Sequence, residues 1–148
     1  DVNAGAIWCS TSGADAVLSN CTIVRSYGST AGAIYCNAAC RMTLENSIIA
    51  FNRNADGVFT IMGDIHIACS DVYGNEGGDA DPGYSTLIWE EPLFCGMDLG
   101  NFELCENSPA LPAGNTWGML MGFAGMGCGE CESPVQEASW GRIKAMYR

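Results

Sequence analysis

Through the first half of the chain, apolar residues flank single polar ones in short runs. Met42 and Leu44 enclose Thr43, and Ile65 and Ile67 enclose His66. This alternation is the period of a β-strand and not of a helix. The runs also recur. Gly5-Ala6-Ile7-Trp8-Cys9 returns as Gly32-Ala33-Ile34-Tyr35-Cys36 and more loosely as Gly57-Val58-Phe59-Thr60-Ile61, at spacings of 27 and 25. Leu18-Ser19-Asn20-Cys21-Thr22-Ile23 returns as Leu44-Glu45-Asn46-Ser47-Ile48-Ile49 and as Ile67-Ala68-Cys69-Ser70-Asp71-Val72, at spacings of 26 and 23. Two elements thus share one period of about 25 residues, a repeat length typical of solenoids.

Strands at that spacing, with no amphipathic helix between them, cannot form βαβ units. They can wind so that equivalent strands stack in parallel. The expected fold is all-β: a short parallel β-helix of about three coils over residues 1–91, closed by a disulfide-rich cap over 92–131. A linker and docking tail over 132–148 follow. In this register Ala16/Met42/Ile65, Leu18/Leu44/Ile67 and Ile23/Ile49/Val72 form apolar interior ladders. Asn20 and Asn46 fall between strands, where Asn tolerates a left-handed bend. An Asn ladder ending at Cys69 is expected there. Trp8 and Tyr35 should stack on the outer face.

Charge and cysteine content narrow the partners. The 148 residues are 48% apolar and 16% charged, enough for one globular core. A net charge of −11 with only six Lys and Arg has the wrong sign for a nucleic-acid backbone. Nine cysteines point to a secreted, oxidised protein at the cell surface or beyond, with at least one thiol left over or paired between chains. No export signal stands at Asp1-Val2-Asn3-Ala4, so the chain reads as processed or as a fragment. The uncharged stretch 107–129 is broken by six glycines and two prolines, so no transmembrane segment is expected.

Candidate chemistry is sparse. The position of Glu45 holds Ser19 and Ala68 in the neighbouring coils, and that of Asp71, read as outward, holds Thr22 and Ile48. Paired carboxylates for sugar cleavage are therefore missing, and the chain is not read as an enzyme. Asp79, Asp81 and Glu90 make a calcium candidate, because Glu90 stands eleven residues after Asp79. Gly83 and Tyr84 occupy positions that such a loop gives to an oxygen ligand and a glycine, so a solvated turn is the alternative. No other cofactor is expected. Cys128-Gly-Glu-Cys131 lacks both a thioredoxin-like context and two further zinc ligands, which leaves a structural disulfide. Cys95 with Cys105, and Cys36 with Cys40, are further candidate pairs; Cys9 and Cys36 can instead stack inside as small apolar groups. Arg41 aligns with Asp15 for an ion pair between coils. Trp8 and Tyr35 offer a surface for stacking sugar rings, or simple cross-strand support.

Gly-Ala-Ile-Tyr-Cys at 32–36, Leu44 to Asn52, Cys69-Ser-Asp-Val-Tyr-Gly-Asn75, Glu91-Pro-Leu-Phe-Cys95 and Asn107-Ser-Pro-Ala-Leu111 together resemble right-handed parallel β-helix repeat proteins of the pectin-lyase-like superfamily, in particular bacterial secreted members. The resemblance covers most of residues 1–115 and implies the right-handed fold. It implies function less, because this coil carries enzymes, adhesins and structural proteins alike. The segment 138–148 looks like the short C-terminal tail of such secreted proteins.

That tail holds three of the six cations and no acid within residues 140–148. Trp140, Ile143 and Tyr147 follow helical spacing, with Lys144 and Arg148 beside them, so the segment needs a surface on its own body or on a neighbouring subunit. The first coil also lacks a preceding partner and would expose unpaired backbone. The expected role is a structural subunit that self-associates, forming a filament by head-to-tail contacts. Carbohydrate binding or cleavage along a solenoid face is the alternative.

Overall fold

The computed structural model describes residues 5–37, 40–53, 59–61, 63–79 and 86–132, with 59–61 described as backbone. The expected coil is present. Its first turn carries β1 (Ile7–Cys9), β2 (Asp15–Ser19) and β3 (Thr22–Val24), and its second β4 (Ile34–Cys36), β5 (Arg41–Glu45) and β6 (Ile48–Ala50). The third carries β7 (Phe59–Ile61), β8 (Asp64–Ala68) and β9 (Ser70–Tyr73), and β10 (Leu87–Ile88) adds one more strand beside β9. Strands of like position form three parallel sheets, ordered β1-β4-β7, β2-β5-β8 and β3-β6-β9-β10.

Register follows the repeat. Ala16, Met42 and Ile65 are ladder partners, as are Leu18, Leu44 and Ile67, and Ile23, Ile49 and Val72. Coil two has a neighbour on each side, and its Ile34, Met42, Leu44 and Ile49 are fully buried. Each such side chain contributes about 1.5–3 kcal/mol over exposure. The repeated Gly5 and Gly32 allow the first and second coils to approach closely: a Cβ on Gly5 would run into the Gly32 carbonyl.

Left-handed residues turn the corners. Asn20, Asn46 and Cys69 have φ of 53°, 50° and 48° between the second and third sheets, as the spacing predicts. The Asn20 amide, however, donates to the Leu120 carbonyl at 3.2 Å and not to the next coil. The asparagine column stands elsewhere. The backbone N–H of Ser26 donates to Asn52 Oδ1 at 2.9 Å, and the Asn52 amide donates to Asn75 Oδ1 at 2.9 Å. The Asn75 amide in turn donates to Asp79 Oδ1 at 2.6 Å. Beside the first corner Ser47, Ser70 and Thr86 make a hydroxyl column, each accepting a backbone N–H from the preceding coil at 3.0–3.1 Å.

Residues 92–131 lie along the flank of the third sheet. There β11 (Phe94–Gly96) pairs antiparallel with β12 (Asn101–Cys105), which pairs in parallel with β13 (Met126–Cys128). Leu104, Ala110, Leu111 and Met121 bury Ile48 and Ala50, the outward residues of coil two. Gly122 donates its backbone N–H to the Asn46 carbonyl at 2.7 Å, and Phe123 donates to Thr22 Oγ1 at 3.2 Å. The segment expected to close the coil end therefore covers its side. Arg25 forms an ion pair with Asp98 across this seam.

Two disulfides staple the segment, with pairings that correct the expected ones. Cys95 bonds Cys128 and Cys105 bonds Cys131, because the β11-β12-β13 order brings distant strands together while Cys128 and Cys131 sit on one turn. Cys36 and Cys40 are free and buried, their sulfurs directed to other partners. Arg41 also chooses differently: it forms an ion pair with Asp64 of coil three, at 3.3 Å, although Asp15 is its ladder partner in coil one.

Candidate functional site

Two features can engage partners: the sheet edges at either end of the coils and the flank segment. Among the described residues, β1 and β2 have no strand on the side away from coil two, and β7 and β8 have none on the side away from it in the other direction. Ile7, Ala16 and Leu18 of the first coil are only half-buried, whereas their coil-two equivalents are sealed. Such edges present unpaired N–H and C=O groups to any strand of matching register.

Trp8 and Tyr35 stack as the repeat predicts, with ring centroids 4.1 Å apart and planes 10° from parallel. Trp8 covers Tyr35, which is 8% exposed, while Trp8 itself is 43% exposed. Only the tryptophan therefore offers a ring to a ligand.

The acidic loop is organised by its own backbone. Asp79 accepts from the N–H groups of Gly74 and Asn75 at 2.8 and 2.9 Å, and from the Asn75 amide. Both its oxygens are engaged in ending the asparagine column. Glu90 is exposed, and Asp81 lies outside the described residues, so the calcium candidate is not assembled among them. The tail residues Trp140, Ile143, Lys144, Tyr147 and Arg148 likewise lie outside the described residues.

Asp71 is the acid whose environment the alternation misjudged. It does point outward, in the ladder between Ile48 and Ile88, but the flank segment covers that strip. It is fully buried, and neither carboxylate oxygen has a hydrogen-bond partner. Burial pushes its pKa up to about 8; the Glu90 backbone N–H partly offsets this without reaching hydrogen-bond geometry, and the charges of Glu90 and Asp79 add to the rise. At neutral pH it is mostly protonated, and it is sealed from any substrate. No signal in the repeat reveals this, because Thr22 and Ile48 at the same position mark no face as covered.

Cys9, Cys36 and Cys40 line the interior beneath the first sheet. Cys40 donates its S–H to the Thr11 carbonyl at 3.2 Å, and Cys36 to the Cys40 carbonyl at 3.7 Å. A hydrogen bond with Cys40, then burial, pushes the Cys9 thiol up to about 11. Burial also raises Cys36. Thiols held protonated in this way are poor nucleophiles. His66 is exposed on β8 between Ile65 and Ile67.

Near the second corner an open groove of about 470 Å³ is lined by Arg25, Phe51, Arg53, Glu76 and Met97. It juxtaposes two cations with an acid, and the buried Asn52 of the asparagine column is part of its lining.

Fold and site together define a parallel β-solenoid whose flank, not its end, carries a disulfide-linked cover. No family model, curated protein or solved structure matches the chain. No helix among the described residues is long and apolar enough to cross a membrane.

Proposed function

We propose that this chain is a structural subunit of an extracellular or cell-surface assembly, extended into a filament by head-to-tail stacking of coils. The observation that carries the reading is the pair of open edges. The β7/β8 edge of one copy and the β1/β2 edge of the next have the same strand order and direction, so docking continues two parallel sheets at the coil repeat. The third sheet is extended by β10 and flanked by residues 92–131, leaving the first two sheets as the docking face. Trp8 supports the same reading, since it stands on the open β1 edge and is 43% exposed there. We further place the chain with right-handed β-helix proteins of the pectin-lyase-like superfamily, as a secreted bacterial member, on the motifs that resemble that group.

Light scattering over a concentration series, with electron microscopy of the same samples, tests this. Particles that lengthen with concentration are expected, and Trp8→Lys should shift the material to monomer while leaving its circular dichroism unchanged. A chain that stays monomeric at every concentration, with and without residues 134–148, overturns it. The second reading, carbohydrate binding, draws on the exposed Trp8 ring; it predicts quenching of tryptophan fluorescence by acidic polysaccharides that Trp8→Ala abolishes.

A further inference from the structure

Three of the four cysteine sulfurs of the flank segment form one cluster, and the fourth, Cys131, adjoins it through Cys105 and Cys128. Cys105 Sγ lies 3.6 Å from Cys128 Sγ, and Cys128 Sγ lies 3.9 Å from Cys131 Sγ, although neither pair is bonded. The sulfurs of Cys95, Cys105 and Cys128 all lie within 4.8 Å of one another. Four thiolates around a zinc ion at about 2.3 Å would be roughly 3.8 Å apart along each tetrahedral edge. The two unbonded separations bracket that length. Cys128-x-x-Cys131 has the spacing of a zinc-binding turn, and the two further ligands that the sequence did not reveal are Cys95 and Cys105, brought in by β11 and β12.

The scaffold holds this cluster by contacts that do not involve sulfur. Asn107 accepts from the Cys131 backbone N–H and donates to the Cys131 carbonyl, both at 2.9 Å. Glu106 donates its N–H to the Gly129 carbonyl at 3.2 Å. The turns bearing Cys105 and Cys128–Cys131 are thus clamped together. Cys105 is fully buried and Cys95, Cys128 and Cys131 are half-buried, as suits a closed structural site. Oxidation of sulfur is also not general in this fold: Cys9, Cys21, Cys36, Cys40 and Cys69 are all free.

We infer that Cys95, Cys105, Cys128 and Cys131 bind one zinc ion as a four-thiolate site before their disulfides close. The same residues thus staple the flank segment in two alternative states. Loading releases four protons as four thiols become thiolates. Closing the disulfides takes four electrons from the four thiolates. Two molecules of a small disulfide oxidant accept them, becoming four thiolates, and the zinc ion leaves as Zn²⁺. A segment with so few buried apolar residues of its own depends on a staple in either state.

The full chain, reduced by a phosphine under exclusion of oxygen, is titrated with Co²⁺ as a probe and then with Zn²⁺. One cobalt per chain, with the visible bands of tetrahedral cobalt thiolate, displaced by one zinc, is the expected result. Cys131→Ser should weaken binding at least roughly 100-fold, no less than the loss of a supporting contact costs. Cys131→His should restore a tetrahedral centre with shifted bands, which a cysteine needed only for a disulfide would not do. Cys9→Ser and Cys69→Ser should bind as the parent does. Adding a small disulfide should release one zinc for every four thiols consumed. Absence of the tetrahedral spectrum in the fully reduced chain overturns the inference. So does its persistence in Cys131→Ser or its loss in Cys9→Ser or Cys69→Ser.

Discussion

Coil two buries Ile34, Met42, Leu44 and Ile49 completely and carries no covalent cross-link, whereas residues 92–131 bury Leu104, Ala110 and Met121 and carry two disulfides. The difference is one of register. A coil repeats its neighbour, so each apolar residue lands on another and each backbone group meets its equivalent. The flank segment repeats nothing. It borrows its core from Ile48 and Ala50 and fixes its shape with sulfur. Stability in the coils is therefore distributed along ladders, and in the flank segment it is concentrated at the seam and the cross-links.

The largest test of this division uses pH, because Asp71 lies in the seam. Its folded pKa is raised by burial to about 8 from an unfolded value near 3.8. The native state thus binds a proton that the unfolded chain has released. Stability from this group is complete below pH 4 and declines as pH rises through 8. At full ionisation the loss is on the order of 5 kcal/mol. Urea midpoints should fall from pH 5 to about pH 8 and level off above it, and Asp71→Asn should flatten that slope. An unchanged slope in the variant would remove Asp71 from the account.

Leu44→Ala comes next. It empties a fully buried site in the interior ladder and should cost about 2–5 kcal/mol. Because the flank segment rests on the same coil, amide exchange should accelerate in both regions together. Faster exchange in residues 40–53 alone would mean that the flank segment stands independently.

Gly122→Ala probes the seam from the other side. Gly122 has φ of 81°, and a Cβ there would lie 2.6 Å from Thr22 Oγ1 and 2.9 Å from Ile48 Cδ1. A loss of about 1–3 kcal/mol is expected, with proteolysis increasing in residues 92–131 and not in the coils. Equal protection of both regions would show that the disulfides, and not the seam, hold the segment in place.

The coils were legible because two periods reinforce one another: alternation assigns a face, and the repeat assigns a partner. Leu18, Leu44 and Ile67 needed no further information, nor did the stack of Trp8 on Tyr35. Asn52 and Asn75 were legible in principle, being 23 residues apart like the other repeat elements, but the more obvious Asn20 and Asn46 drew the assignment. Asp71 and the cysteine pairing were not legible. Both depend on how an aperiodic segment folds back over a sheet, and proximity in sequence gives no measure of that. Cys95 is ten residues from Cys105 yet bonds Cys128, because the strand order decides the distance.

The column of Ser26, Asn52, Asn75 and Asp79 has a direction. Each asparagine receives protons on its oxygen from one coil and returns its amide hydrogens, Asn52 to the Ile23 carbonyl and Asn75 to the Ile49 carbonyl. An aspartate side chain has no amide hydrogens to return, so the relay halts at Asp79. A single choice between acid and amide thereby sets the length of this corner, like a final letter that permits no suffix. A chain lengthened by inserting another repeat would first have to spell asparagine there.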